Sequence, residues 1–272
     1  MSLMKQNDVV LVGMPFDAYS SYLRGPAEAP VAIREMMACD SANTATELGI
    51  ELGENPRIID HGNLAWSTTT EAFDKLESGI ADIARAGAMP LTLGGDHSIS
   101  FPILKALAQF HSRINILHFD AHPDLYDILD GNRLSHACPF ARIMENKLAA
   151  RLVQVGIRTL NHHQAKQADR FGVEIHAMKD WQGPDQLELE GPLYVSIDID
   201  ALDPAFAPGV SHLEPGGMSV RQILDVLHSI NVPIIGADIV EYNPRRDING
   251  MTAMVATKLY KELCGQMLSN SK

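Results

Sequence analysis

An apolar run from Pro192 to Ile199 ends in two closely spaced aspartates, Asp198 and Asp200. Side chains two residues apart leave an extended strand on the same face, so both carboxylates are expected to point the same way. Two like charges about 4 Å apart repel each other by roughly 4 kcal/mol at an effective dielectric constant of about 20. The pair therefore requires either a cation between the carboxylates or solvent at the end of the strand.

Two other apolar runs end in residues of the same kind. One is followed by Asp120, His122 and Asp124 on alternate positions. The other ends at Leu93 and continues through two glycines to His97. Carboxylates and imidazoles are common metal ligands, so three strand ends of this composition predict one shared metal site.

Strand-like and helix-like segments alternate along the chain, and several of the strands are continuously apolar. Thr68 with Glu71 and Ser219 with Gln222 have the spacing of helix capping boxes. This alternation predicts a mostly parallel sheet covered by helices on both faces, an α/β fold with a single three-layer α/β/α domain over residues 1–272. Ligand sites in open parallel sheets lie beyond the carboxyl ends of the strands, where the three motifs fall. The predicted strands are 9–12, 57–60, 89–93, 114–119, 152–157, 173–177, 193–199 and 233–240.

Composition excludes several classes of function. The formal net charge of −12 over 272 residues argues against nucleic acid and against an anionic membrane surface as partners. No apolar run reaches the length of a membrane span. The sequence shows no signal peptide. Cys39, Cys138 and Cys264 are widely spaced and odd in number, which indicates a reducing compartment and not a disulfide framework. We therefore expect a cytoplasmic protein.

The candidate cluster contains four carboxylates and two imidazoles. Two divalent ions would bring four positive charges against four negative ones, so a two-metal site with bridging carboxylates balances the charge. Oxygen-rich ligation without thiolate fits Mn²⁺ better than structural Zn²⁺. Such ions make a bound water nucleophilic near neutral pH, which predicts metal-assisted hydrolysis. The candidate ligands are His97, Asp120, His122, Asp124, Asp198 and Asp200.

Residues 94–98, 119–124 and 196–209 resemble the three signatures of the ureohydrolases, a family that contains arginases and agmatinases. The resemblance extends from about Arg24 to the C-terminus. It implies an arginase-like fold and an enzyme with two Mn²⁺ per chain that hydrolyses a guanidinium to urea and an amine. It also implies a small cationic guanidino substrate and a homotrimer or homohexamer.

The family's functional residues can be transferred to matching positions of this sequence. Glu241 corresponds to the carboxylate that binds the guanidinium, and His136 to a histidine that moves protons. Both types suit these roles, because a carboxylate can pair with a planar cation and imidazole titrates near neutral pH. The resemblance implies one metal on His97, Asp120, Asp124 and Asp198, and the other on Asp120, His122, Asp198 and Asp200, with Asp120 and Asp198 bridging.

The loop before and after His136 bears on the substrate. Agmatinases usually have Gly-Thr after this histidine, whereas this chain has Ala137-Cys138, and the loop spacing resembles plant-type arginases. Segments 209–217 and 250–256 also resemble that group. We therefore predict L-arginine as the substrate, hydrolysed to L-ornithine and urea, with hydrogen bonds from Asn132 and Ser135 to its α-carboxylate. Agmatine is the alternative, because acidic residues in the same loop, Asp127 and Asp130, would favour a substrate without a carboxylate.

Three other interpretations are weighed against this one. A deacetylase on the related arginase-like fold would use one Zn²⁺ and fewer carboxylates. A silent guanidine sensor would not need His136 and Glu241. A covalent mechanism through Cys138 and His136 would leave the aspartates unexplained. Asp96 and Asp203 are interpreted as turn residues or neighbours of ligands. The remaining histidines are interpreted as surface or core residues: His61, His111, His118, His162, His163, His176, His212 and His228.

Overall fold

Eight parallel strands form one sheet in the computed structural model, which describes residues 4–271. The order across the sheet is β2-β1-β3-β8-β7-β4-β5-β6. The strands are β1 (Val9–Gly13), β2 (Ile58–Asn63), β3 (Met89–Leu93), β4 (Asn115–Phe119), β5 (Arg151–Ile157), β6 (Glu174–Ala177), β7 (Leu193–Asp198) and β8 (Ile234–Val240). The predicted parallel sheet is confirmed.

Seven α-helices cover the two faces of this sheet within the same residues. They are α1 (Ala29–Met37), α2 (Thr69–Arg85), α3 (Ser100–Leu107), α4 (Pro139–Glu145), α5 (His162–Phe171), α6 (Val220–Ser229) and α7 (Met251–Ser269). Helices α1, α6 and α7 pack on one face, and α2, α3, α4 and α5 on the other. Successive residues of β4 alternate between the faces, with Leu117 and Phe119 in one core and Ile116 in the other. The three-layer α/β/α architecture is thereby confirmed.

The four central strands β3, β8, β7 and β4 are buried along their whole length. Their registers are aligned at the carboxyl ends. Phe119 of β4 pairs with Ile197 of β7, and Asp198 of β7 pairs with Val240 of β8. The loops that follow these strands therefore begin at one edge of the sheet.

Helix boundaries depart from the prediction in ways that local chemistry explains. The helix predicted from His136 begins at Pro139, since the His136 amide donates to the Tyr19 carbonyl and proline is favoured in a first turn. The Ser219 cap is a complete capping box with Gln222. The Thr68 cap is only half of one, because the Glu71 carboxylate accepts from the Ser67 amide instead.

No helix of residues 4–271 combines the length and apolar character needed to cross a membrane.

Candidate metal centre

His97 is placed by a turn directly after β3. A Cβ added to Gly95 would lie 1.8 Å from the Phe16 carbonyl oxygen, so only glycine allows the two segments to approach this closely. Asp96 then caps the short 3-10 helix that begins at His97, accepting from the Ser98 amide. Asp96 therefore acts as a turn residue, as the sequence indicated. The turn directs His97 into a fully buried position.

His97 meets three carboxylates through one ring nitrogen. Its Nδ1 lies 3.1 Å from an oxygen of Asp124, 3.1 Å from one of Asp198 and 3.3 Å from one of Asp120. Its other nitrogen, Nε2, lies 2.9 Å from the Ser196 hydroxyl. Octahedral coordination at about 2.1 Å separates neighbouring ligand atoms by about 3 Å, so these atoms have the spacing of donors around one cation.

His122 forms a second group on the other side of Asp120. Its Nδ1 lies 3.3 Å from Asp120 Oδ1 and 3.1 Å from Asp200 Oδ2. The remaining oxygen of Asp200 accepts from the Ala121 amide at 3.2 Å. Asp120 thus presents Oδ2 to the His97 group and Oδ1 to the His122 group, which is the arrangement required of a carboxylate between two cations.

Asp198 and Asp124 are held by the backbone. Oδ2 of Asp198 faces His97, and its Oδ1 accepts from the Asp200 amide at 2.8 Å. Asp124 adopts φ 51°, in the left-handed region that few non-glycine residues occupy. Strain of this kind concentrates at functional sites, and here it accompanies a carboxylate close to His97.

The charges of this cluster require a cation. Burial and the neighbouring charges of Asp200 and Asp120 raise the pKa of Asp198 well above its usual range. Burial and Asp120 likewise raise the pKa of Asp124 to about 6. Burial also opposes the charge on His97, but its carboxylate neighbours raise its pKa well above the usual value. Divalent ions would offset the repulsion between these buried carboxylates, so the donor set fits two metal ions.

Glu241 and His136 form a buried pair beside this cluster. His136 Nδ1 lies 2.8 Å from Glu241 Oε1, which also accepts from the His97 amide at 2.9 Å. Glu241 Oε2 is buried and has no hydrogen-bond partner within residues 4–271. Burial lowers the pKa of His136, but the Glu241 charge and hydrogen bond outweigh this and raise it to about 9. The Glu241 carboxylate therefore favours the protonated form of His136.

A cavity of about 230 Å³ opens onto these groups. Four acidic residues form its floor, and neutral polar and apolar side chains form most of the wall. No lysine or arginine contributes to the lining within the described residues. The lining residues are Ser21, His122, Asp124, Tyr126, Leu129, His136, Ala137, Thr159, Gln164, Asp198, Asp200, His212 and Glu241.

Asn132 and Ser135 lie in the loop over the cavity but do not line it. The Asn132 side-chain oxygen accepts from the Leu134 amide at 2.8 Å. Ser135 is 3% exposed, and its hydroxyl accepts from the Ala137 amide. The structure therefore brings the six predicted metal ligands, His136 and Glu241 together, whereas Asn132 and Ser135 are not part of the cavity lining. Their role toward the substrate stays a prediction.

Three residues near the centre were not singled out from the sequence. Ser21 contacts His136 Nε2 through both its hydroxyl, at 2.8 Å, and its amide, at 3.2 Å. The His212 ring centroid lies 5.4 Å from that of His136, at the cavity wall. His118 lies 2.9 Å from Asp120. Of these three residues, only His118 could have been identified from the sequence. It stands two positions before Asp120, and alternate residues of a strand share a face.

Comparison with known proteins identifies relatives over nearly the whole chain. Arginase 1, mitochondrial, of Arabidopsis thaliana is 47% identical over 94% of this chain and 80% of its own length. The agmatinase of Bacillus anthracis is 33% identical over 95% of this chain and 91% of its own. The solved arginase of Medicago truncatula superimposes with a TM-score of 0.90 at 41% identity, covering 98% of this chain and 89% of that one. The resemblance to plant-type arginases is confirmed.

The same relatives show that the prediction of a cytoplasmic location is wrong. Arginases of Arabidopsis thaliana, rice and Medicago truncatula are named mitochondrial, and a second Arabidopsis enzyme chloroplastic/mitochondrial. These names point to an organelle. The cysteine count and the absence of a secretory signal pattern were insufficient, because neither separates the cytoplasm from other reducing compartments.

The family model described as the arginase family matches residues 7–265. That range contains all eight strands, the three ligand-bearing turns and the cavity. The solved arginase of Medicago truncatula has the same overall architecture. The chain therefore belongs to the arginase family and is a hydrolase that acts on guanidino compounds.

Proposed function

We propose that this arginase-type ureohydrolase binds two Mn²⁺ ions and hydrolyses L-arginine to L-ornithine and urea. The observation that carries the proposal is the placement of Asp120 between the His97 and His122 groups, next to a cavity lined by Asp124, Asp198, Asp200 and Glu241. We further propose that residues 1–272 act as one domain, since one sheet runs from β1 to β8.

The proposed ligand sets share two aspartates. His97, Asp120, Asp124 and Asp198 would hold one ion, and Asp120, His122, Asp198 and Asp200 the other. When bound, two such ions supply a nucleophile at neutral pH and polarise the reacting group. The donors are oxygens and imidazole nitrogens without a thiolate, which favours Mn²⁺. A count of two ions per chain would also separate this enzyme from a one-zinc deacetylase.

Glu241 is proposed to orient the guanidinium. Its Oε1 is already occupied by His136 and the His97 amide, so Oε2 is the atom free to accept from a substrate N–H. Burying a carboxylate oxygen without a hydrogen-bond partner costs free energy, and a bound cationic donor removes that cost. This single acceptor fixes one edge of the planar group and so directs its carbon toward the ligand cluster.

His136 is proposed to give a proton to the leaving amine. Its Nδ1 faces Glu241, and its Nε2 faces Ser21, an exposed residue of the cavity wall. The Glu241 charge favours the protonated imidazole, which is the form that a general acid needs. The exposed Ser21 hydroxyl lies between this buried ring and solvent.

The relatives support arginine over agmatine. Identity is 47% to the Arabidopsis arginase and 33% to the Bacillus anthracis agmatinase. Asp127, which would favour agmatine if it were free, is instead paired with Arg133 at 3.0 Å and Arg142 at 2.9 Å. Because no lysine or arginine lines the described cavity, we expect recognition of the α-carboxylate to depend on hydrogen-bond donors of the wall and loop.

The substrate assignment predicts at least a tenfold higher kcat/KM for L-arginine than for agmatine. Each hydrogen bond to the carboxylate contributes roughly 1.5–3 kcal/mol, and agmatine makes none of these bonds. Urea release from both compounds with added Mn²⁺ is the measurement. Asn132→Ala and Ser135→Ala should each reduce the preference, because each removes a proposed donor to the carboxylate. A wild-type preference for agmatine that survives both substitutions would overturn the assignment.

Glu241→Gln is expected to raise KM for arginine strongly and to lower kcat. The substitution keeps the shape but removes the charge, and a lost charged hydrogen bond of roughly 1.5–3 kcal/mol corresponds to about a ten- to hundredfold fall in kcat/KM. Exposed Glu35, in α1, provides the control Glu35→Gln. Steady-state kinetics with metal analysis tests this. Unchanged kinetics at full metal content would remove Glu241 from the substrate site.

We also propose a homotrimer or homohexamer, on the family resemblance alone. The mass of the particle in solution, about three or about six times the 29.8 kDa of the chain, tests this.

A further inference from the structure

A buried network outside the proposed ligand set contacts Asp120. His118 Nε2 lies 2.9 Å from Asp120 Oδ2, and His118 Nδ1 lies 3.0 Å from Gln154 Nε2. The same Gln154 nitrogen lies 2.7 Å from the Pro123 carbonyl oxygen. His118, Gln154 and Asp120 are each fully buried, so no solvent competes for these contacts.

The hydrogen-bond chemistry fixes the direction of each contact. The Pro123 carbonyl can only accept, so the Gln154 atom facing it must be the amide nitrogen and not the oxygen. That nitrogen also donates to His118 Nδ1, which must therefore carry no proton. In a neutral imidazole the proton then resides on Nε2 and is donated to Asp120 Oδ2. The Pro123 carbonyl and the Gln154 amide thus fix the tautomer of His118, whose Nε2–H donates to the Asp120 carboxylate.

Packing holds this donor in place. His118 and Gln154 are directly paired in the register of β4 with β5, so their backbones are fixed by the sheet. The ring of Phe140 stacks on His118 with centroids 3.9 Å apart and an interplanar angle of 28°. Both side chains are fully buried in a close-packed interior, which restricts their rotation.

We propose that His118, supported by Gln154, is a positioning residue for the metal centre. Its N–H holds the Asp120 carboxylate so that Oδ2 faces His97 while Oδ1 faces His122. The inference rests on the proposed two-metal function and adds a residue to it. Groups that hydrogen-bond to metal ligands typically change metal affinity 10- to 100-fold when they are removed.

His118 is not itself a ligand in this assignment. It lies in a group with His97 and Asp120 whose donor atoms are within 4.8 Å of one another. A coordinating imidazole nitrogen must be free of its proton, whereas the Gln154 contact places the proton on the nitrogen that faces Asp120. The role is therefore orientation of a carboxylate.

The experiment compares His118→Leu with His118→Gln by calorimetric titration of metal-free protein with Mn²⁺, alongside elemental analysis. Leucine fills much of the volume without a donor, whereas glutamine restores an N–H. We expect wild type to bind two ions, His118→Leu to bind at least one of them 10- to 100-fold more weakly, and His118→Gln to recover most of the loss. His61→Leu, at an exposed histidine of β2, is the control.

The outcomes separate the two proposals. Wild type that binds fewer than two ions contradicts the proposed metal centre before any variant is considered. Wild-type affinity for both ions in folded His118→Leu overturns the role of His118 alone. Equal loss in the leucine and glutamine variants would also overturn it, since a restored donor should matter. If His118→Leu fails to fold, Gln154→Leu takes its place, with weaker binding in the same direction expected and unchanged binding as the contrary result.

Discussion

Asp120→Ala is expected to remove both metal ions and with them essentially all urea release. Asp120 presents one oxygen to the His97 group and the other to the His122 group, so its loss opens both sets at once. His122→Ala should instead weaken mainly one ion, because its Nδ1 contacts only Asp120 and Asp200 among the ligands. Elemental analysis after Mn²⁺ loading, with urea release measured on the same samples, distinguishes the two patterns.

The comparison needs a variant that loses a carboxylate elsewhere. Asp225 is exposed on α6, so Asp225→Ala changes the net charge equally without touching the cluster. It should retain both ions and full activity. The bridging assignment is wrong if Asp120→Ala keeps one ion at full occupancy, or if His122→Ala and Asp120→Ala lose metal to the same extent.

The ligand positions could be predicted because they follow from short-range rules. Parallel topology brings the strand ends to one edge. Alternation of side chains along a strand also predicts that Asp198 and Asp200 lie close together, but β7 ends at Asp198 and Asp200 lies in a 3-10 helix, where its amide donates to Asp198 Oδ1. The same alternation applied to His118 and Asp120 would have identified the buried donor. It was missed because a histidine inside an apolar run is more often an ordinary core residue.

Other contacts could not be predicted from local spacing. Ser21 is 115 positions from His136, and Glu241 is 144 positions from the His97 amide that it accepts from. Both contacts depend on loops whose paths are set by tertiary packing, as at Gly95 against Phe16. The absence of Asn132 from the cavity lining is of the same kind, since its side-chain oxygen accepts from the Leu134 amide within its own loop.

The orientation of His97 shows how the sheet contributes to the site. Ser196 donates to Asp238 at 2.6 Å, and Asp238 also accepts from Tyr194. The Ser196 hydroxyl therefore has its lone pairs available for His97 Nε2, which leaves Nδ1 as the nitrogen that faces the carboxylates. Asp238, a fully buried residue of β8, thus stabilises the ligand geometry from within the core.

His136→Ala is expected to lower kcat by about 10²- to 10⁴-fold, the usual contribution of a positioned general acid. KM and metal content should change little, because His136 contacts Glu241 and Ser21 and none of the proposed ligands. The pH dependence provides a second signature. The protonated ring is the active form, so the wild-type rate should fall as pH rises through the His136 pKa, and this alkaline limb should be absent from the variant.

Two measurements complete the His136 test. Added imidazole should restore part of the rate in His136→Ala, since a small proton donor can enter the space left by the ring. His162→Ala, at an exposed histidine of α5, should behave as wild type with or without imidazole. If His136→Ala instead loses its metals, the residue stabilises the centre and does not transfer protons, and an unchanged kcat would assign the proton transfer to another group.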